Sequence, residues 1–266
     1  MSVRACITQA MNPTPAYGWK PQLPDPRDLR YGLSGPAQPL PASADLSALM
    51  PQVYNQGLLS SCTANALAAV VEFEQRRQGL PSFAPSCPSR LYIYWFERAF
   101  EGTTDSDCGG RLRDGIKALA ARGVPRETHW AYDDAKVCVE PSQAAQAAAV
   151  MHKALKYEAL PQSLETLKSV LVGGQPFCFG FSVYESFESQ EVAETGVMPM
   201  PAVGEALCGG HAVVAVGYSD AKEAFKIRNS WSASWGDRGH VWMPYAYMVS
   251  PGLASDFWLV SLIGTA

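Results

Sequence analysis

Apolar positions along this 266-residue chain follow two rhythms, and the change comes a little past its middle. In the first part the spacing is helical. Ala64, Leu67, Ala68 and Val71 recur at i, i+3, i+4 and i+7 behind Ser60 and Ser61, both good capping residues, and Gly79 is a plausible stop. A second helix is predicted from a Ser89 cap to about Phe100, with Leu91, Ile93, Tyr94 and Trp95 among its apolar positions, and a third over 112–121, ending at Gly123. An Ala-rich stretch, 142–150, suits a short helix. From Lys153 the chain alternates or runs apolar without a break. Residues 153–157, 176–183, 197–198, the run after His211, 225–228, 240–243 and 257–260 read as strands, with one helix over 164–172 stopped by Gly173 and Gly174. The expected fold class is α+β, a helical lobe over about 48–140 against an antiparallel β lobe over about 141–256.

Before this comes a segment with no periodicity. Residues 1–39 are punctuated by Pro13, Pro15, Pro21, Pro24, Pro26, Pro36 and Pro39. Two readings stay open: a disordered tail, or an ordered arm docked through Tyr17, Trp19, Leu23, Leu29 and Tyr31. The rest, 40–266, forms the folded unit.

Candidate chemistry gathers where the two rhythms would meet. The predicted first helix puts Cys62 in its first turn, where free N–H groups and the positive end of the helix dipole favour a thiolate. His211 precedes a continuous apolar run, and Asn229 ends the next strand after a turn at 220–223. A hairpin would set His211 and Asn229 side by side. Cys, His and Asn are the parts of an acyl-transfer site: the imidazole handles the thiol proton and the amide orients the ring. Gly109 and Gly110 would let a substrate backbone approach and pair as an extra strand.

Through Gln56…Cys62, His211-Ala212, Asn229-Ser230-Trp231 and Trp235-Gly236, the chain resembles the papain-like cysteine peptidases over roughly residues 40 to 260. It is most similar to their compact bacterial branch, through 89–92 and 113–117. That resemblance implies a two-lobe fold with a cleft between the lobes and cysteine endopeptidase activity. It makes Gln56 an oxyanion donor beside the Cys62 amide, and Trp231 a cover on the His211–Asn229 bond. It implies a side-chain pocket walled by Leu112, Gly180 and Ala212, roomy because Gly180 stands where relatives carry larger residues, with Ser255 or Asp256 at its floor. Leu59 and Thr63 depart from the family's best-known Cys-Gly-Ser-Cys-Trp motif, which leaves the catalytic trio whole. Relatives carry a longer, helical prosegment through the cleft, so residues 1–39 are expected to act as a short intramolecular restraint, a zymogen device.

Composition narrows the remaining choices. Seven cysteines, at 6, 62, 87, 108, 138, 178 and 208, leave at least one unpaired. The resemblance puts Cys108, Cys138 and Cys208 at disulfide positions whose partners are absent here, which fits a reducing compartment. No cysteine pair has zinc-type spacing, so neither metal nor other cofactor is expected. A net charge of −4, with no basic run, argues against nucleic acid. No apolar run reaches the ~18 residues of a spanning helix. Residues 1–15 lack the apolar core of a Sec signal, so a cytoplasmic location or a non-Sec route is expected. The expected partner is a protein or peptide substrate, with the chain itself monomeric. Two rival functions are a transglutaminase-like acyl transferase, disfavoured by Asn229 as third member, and a silent peptidase-fold binding protein, disfavoured by the complete trio.

Overall fold

The computed structural model describes residues 16–32 and 39–265. Residues 1–15, with Cys6, Pro13 and Pro15, and residues 33–38, with Pro36, lie outside the described part, so the readings that fall on them are not addressed.

In chain order the elements are β1 (Ser43–Asp45), α1 (Cys62–Arg77), α2 (Arg90–Glu101), α3 (Leu112–Arg122), α4 (Gln143–Ala149), β2 (Lys153–Ala159), α5 (Leu164–Val172), β3 (Phe177–Tyr184), α6 (Gln190–Thr195), β4 (Leu207–Ser219), β5 (Ala224–Arg228), β6 (His240–Pro244), α7 (Tyr245–Met248) and β7 (Ala254–Gly264). Helices α1 to α3 form one layer. The strands form one antiparallel sheet in the order β2-β7-β3-β4-β5-β6, with β1 paired to β4. This is the expected α+β, papain-like arrangement.

Helix α1 differs from its sequence reading in one respect that matters. The apolar stripe predicts one buried face, yet every residue from Cys62 to Gln75 is buried. Four alanines keep α1 thin enough for α2, α3 and β4 to close round it, and a helix surrounded on all sides behaves as core. Most of its buried polar groups are paired, Thr63 with Glu97, Asn65 with Arg90 and Glu74 with Arg77, while Gln75 Oε1 has no partner. Ser61 stands at the N-cap but makes no capping bond. Its hydroxyl lies 2.5 Å from that of Tyr132 and accepts from Asn65 instead.

Two apolar clusters result. One joins α1, α2 and α3 to the near face of the sheet and includes Cys62, Trp19 and Ala212. The other, rich in Phe177, Phe179, Phe181 and Phe225, lies on the far face under α5 and α7. The expected strand at 197–198 is a single bridge, Val197 to Trp242, because Pro199 and Pro201 interrupt the backbone donors that a ladder needs. The expected strand at 257–260 extends over the whole of β7, since β2 pairs with it as far as Gly264 and β3 takes in Ala254 and Ser255, with Asp256 in the irregularity between Ser255 and Trp258.

Candidate active site

Cys62 opens α1 and is fully buried. Its position is secured from outside the helix. The Asp107 carboxylate accepts from the Ser60 amide at 3.0 and 3.1 Å and from the Tyr94 hydroxyl at 2.5 Å, and the Tyr94 oxygen accepts from the Gly109 amide at 2.9 Å. One carboxylate therefore joins the nucleophile loop to the Gly109–Gly110 strand. Neither Asp107 nor Tyr94 stands out in the sequence, because the chain places them in a loop and on an amphipathic helix with nothing to mark their convergence.

His211 is fully buried on β4, and the backbone amide of the next residue, Ala212, faces the Cys62 sulfur. The β4–β5 register, Val214 opposite Arg228, carries Asn229 to the imidazole. His211 Nε2 donates to Asn229 Oδ1 at 2.8 Å, which leaves Nδ1 without a partner. Trp231 stacks on the imidazole with ring centroids 5.0 Å apart, so the His211–Asn229 bond is shielded on that side. Gln56 is fully buried three residues before Leu59, whose carbonyl accepts from its Nε2 at 2.9 Å. The Ser230 hydroxyl donates to Gln56 Oε1 at 2.6 Å, which fixes the amide so that Nε2 faces the cleft. Ser230 is a positioning contact that the sequence signals only by its place beside Asn229.

The cleft is filled by the chain's own N-terminal arm, residues 16–32. Gln56 Nε2 donates to the Ala16 carbonyl at 3.1 Å. Tyr17 lies edge-on to His211, centroids 5.8 Å apart, and its hydroxyl donates to Glu188 at 2.7 Å. Trp19 then pairs with Gly110 in a parallel bridge: the Gly110 amide donates to the Gly18 carbonyl at 2.8 Å and the Lys20 amide to the Gly110 carbonyl at 3.0 Å. The Trp19 amide donates to Gly210 on the opposite wall at 2.9 Å. The indole occupies the expected pocket. Leu112 and Ala212 belong to the same buried cluster, and a Cβ on Gly180 would fall 1.9 Å from the ring, so no larger residue there could coexist with Trp19. At the floor it is Asp256 that meets the indole, accepting from Trp19 Nε1 and the Gln22 amide, each at 3.1 Å. Farther along, Arg113 grips Asp28 at 2.6 Å. Arg111 at the rim is no free cation, since it pairs with Glu101 at 3.2 Å.

This cover changes the electrostatics from those expected of an open helix terminus. Burial pushes the Cys62 thiol up to about 11, although the amides of Ala212 and Gly18 oppose the shift. Burial holds His211 down to about 4 against its bond to Asn229. Beneath the arm, burial favours the uncharged thiol and the uncharged imidazole, against the pull of the helix dipole towards a thiolate. Asp256 is raised to about 6, first by burial. Among the described residues all cysteines are free thiols, no group of three or more His, Cys, Asp or Glu could hold a metal, and no helix is long and apolar enough to cross a membrane.

Residues 98–257 match the papain family cysteine protease sequence family. Over 222 residues the chain is 41% identical to an uncharacterized peptidase C1-like protein of Acanthamoeba polyphaga mimivirus, covering 79% of this chain and 71% of that protein. The fold superposes on xylellain, a cysteine protease from Xylella fastidiosa, with a TM-score of 0.85 and 38% identity over 95% of this chain and 97% of that one. It also superposes on the procathepsin B S9 structure from Trypanosoma congolense, with a TM-score of 0.72 at 17% identity over 94% and 87%, a likeness of fold alone.

Proposed function

Since the chain belongs to the papain family of cysteine proteases, we propose that it is an endopeptidase working through an acyl-enzyme on Cys62, and that residues 16–32 hold it latent. The observation that carries this reading is convergence: a fully buried Gln56 amide, the Cys62 sulfur and a His211 ring locked by Asn229 all face one stretch of the arm's backbone.

With the arm displaced, water and substrate rehydrate the pair, and the proton moves from Cys62 to the unpartnered Nδ1 of His211. The thiolate attacks the substrate carbonyl and a C–S bond forms. The developing oxyanion takes up N–H groups from Gln56 and from the Cys62 backbone, in the role that the Ala16 carbonyl mimics towards Gln56. The C–N bond breaks as His211 protonates the leaving amine, and water then hydrolyses the thioester. Asn229 keeps the imidazole in the required tautomer and Trp231 shields their bond. Gly109 and Gly110 give the substrate a backbone to pair with. Leu112, Gly180 and Ala212 take one of its side chains.

The arm escapes this chemistry for a geometric reason. The group it turns to the sulfur is the Gly18 amide, an N–H, while the carbonyl bound by Gln56 belongs to Ala16, two residues away. The test compares the full chain with one beginning near Leu40. Trimming raises kcat/KM on a peptide library and speeds labelling by an epoxysuccinyl probe, with Cys62→Ala inert in both. Equal labelling rates in two folded chains would refute latency, and cleavage by the Cys62→Ala chain would refute the site.

A further inference from the structure

One buried titratable group plays no part in that chemistry. Glu97, on the inner side of α2, is fully buried. Its Oε2 accepts from the hydroxyl of Thr63, the residue after Cys62, at 2.9 Å, and its Oε1 is buried with no hydrogen-bond partner. The nearby cations are spent elsewhere. Arg98 donates to the carbonyls of Tyr94, Ser106 and Val137, while Lys20 of the arm and Arg111 both pair with Glu101. The other groups facing Glu97 repel a charge: Glu101 on α2, Asp114 on α3 and, once ionised, Cys62 on α1. A carboxylate buried with one hydroxyl donor and no counter-ion is disfavoured, and burial holds this carboxyl well above the usual range.

The same carboxyl lies against the substrate-pairing strand. A Cβ on Gly110 would sit 2.2 Å from Glu97 Oε1 and 2.5 Å from Cδ, so the close approach depends on glycine. Glu97 thus touches the first turn of the nucleophile helix on one side. On the other it touches Gly110, the residue that hydrogen-bonds the arm through both its N–H and its carbonyl.

We propose that Glu97 is a positioning residue whose uncharged carboxyl joins the Cys62 turn to the Gly110 strand, and whose ionisation opposes the Cys62 thiolate and sets an alkaline limit on its reactivity. The inference rests on the reading of Cys62 as the nucleophile, but not on what the chain cleaves. In the uncharged state the acid fills its site and leaves the thiolate unopposed. As an anion it would add negative charge beside the sulfur in a dry interior, where water does little to screen it.

The test is the rate at which iodoacetamide alkylates Cys62, read by mass spectrometry of its peptide from pH 5 to 9, in the full-length chain and in Glu97→Gln. Both keep the arm. The same pair carrying Trp19→Ala, which loosens the arm, shows the same trend with pH if the charge acts on the sulfur. Loss of the trend in that pair means that the charge acts on the arm, which also overturns the proposal. Glutamine is isosteric and cannot ionise. The expected ratio of variant to parent is near one at pH 5 and rises by about tenfold towards pH 9, the order expected of one added charge in a partly screened interior. A ratio that is flat across the range overturns the proposal, since a merely structural role would shift the rate by one factor at every pH. Glu97→Ala, which removes the carboxyl and leaves a cavity, should label slowly throughout, with Glu97→Gln restoring the parent rate at acid pH. A glutamine variant as slow as alanine at pH 5 also overturns it. If alanine fails to fold, the glutamine ratio decides alone. Alkylation needs no peptide substrate, so a rising ratio in a chain that cleaves nothing would refute the peptidase reading and leave this one standing.

Discussion

The first turn of α1 and the arm that crosses it are both buried where they meet, yet they are held in opposite ways. Helix α1 is enclosed by protein on every side along fourteen consecutive residues, Cys62 to Gln75, and most of its polar groups are paired within the domain. The arm is held at separate points. Trp19 is 7% exposed, while Leu23 and Leu29 are 85% and 63% exposed, so its apolar anchorage is nearly one side chain deep. The remaining ties are polar: within the cleft, Gln56 to Ala16 and the backbone bonds of Gly18, Trp19 and Lys20 to Gly110 and Gly210, and outside it Tyr17 to Glu188, Gln22 to Asp256, Arg113 to Asp28 and the bonds of Leu29 and Tyr31 to Ala159. The nucleophile's seat is part of the core, and its cover reaches that core through one indole and is otherwise held by polar ties. A segment of few buried contacts is the one free to open first.

The largest test of this contrast removes the sulfur. Cys62→Ala should abolish peptide cleavage and leave the thermal midpoint almost unchanged, since a small residue replaces a small residue at the start of a buried helix; circular dichroism and a peptide assay check both. Next in size is the anchor. Trp19→Ala gives up roughly 3–5 kcal/mol of aromatic burial if the gap does not close, so alkylation of Cys62 should speed by at least about tenfold while the fold persists. Gly180→Val attacks the same contact from the pocket side, and because one contact is lost in either case, the double variant should label no faster than the quicker single one. Additive effects would mean that Gly180 acts on something besides the indole.

A smaller effect separates the floor of the pocket from its walls. Asp256 is raised from 3.8 to about 6 with the arm in place. A carboxyl with a raised folded pKa contributes stability below its unfolded pKa and loses it as pH climbs through the folded value. The parent should therefore lose thermal stability relative to Asp256→Asn between about pH 4 and pH 6, with a constant difference above. A difference that does not vary over that window would mean Asp256 keeps an ordinary pKa under the arm. The least effect belongs to the cysteines that relatives use for disulfides. Cys108, Cys138 and Cys208 are free thiols here, and Ser at each should keep kcat/KM within about twofold, as for surface substitutions generally.

What was legible in the chain depended on how local the signal was. Helix α5 runs over 164–172 as its sequence implies, because both ends are marked nearby: the Ser163 hydroxyl accepts from the Thr166 amide, and Gly173 and Gly174 follow. The His211–Asn229 pairing was readable for a related reason, since a hairpin with a short turn leaves little choice of partner. Ser61 stands at the N-cap as the sequence implies, but its hydroxyl makes no capping bond, because such a side chain can take a tertiary partner and Tyr132, distant in sequence, holds it. Glu97 gave no signal at all. A glutamate on an amphipathic helix reads as a surface charge until α3 and Gly110 close over it.

By itself, then, the order of residues determined the elements, the class of fold and which side chains could do acyl chemistry, because periodicity, caps and turn residues act over a few positions. Only the tertiary structure decided the state of that chemistry. Whether the arm lay in the cleft or in solvent depended on an indole finding a pocket emptied by Gly180, on the far side of the molecule's sequence. Once it does so, the water that would stabilise a thiolate is displaced, and burial pushes the thiol and imidazole that the sequence places together towards their uncharged forms. Desolvation is a property of everything packed around a group, and no stretch of sequence near Cys62 or His211 contains it.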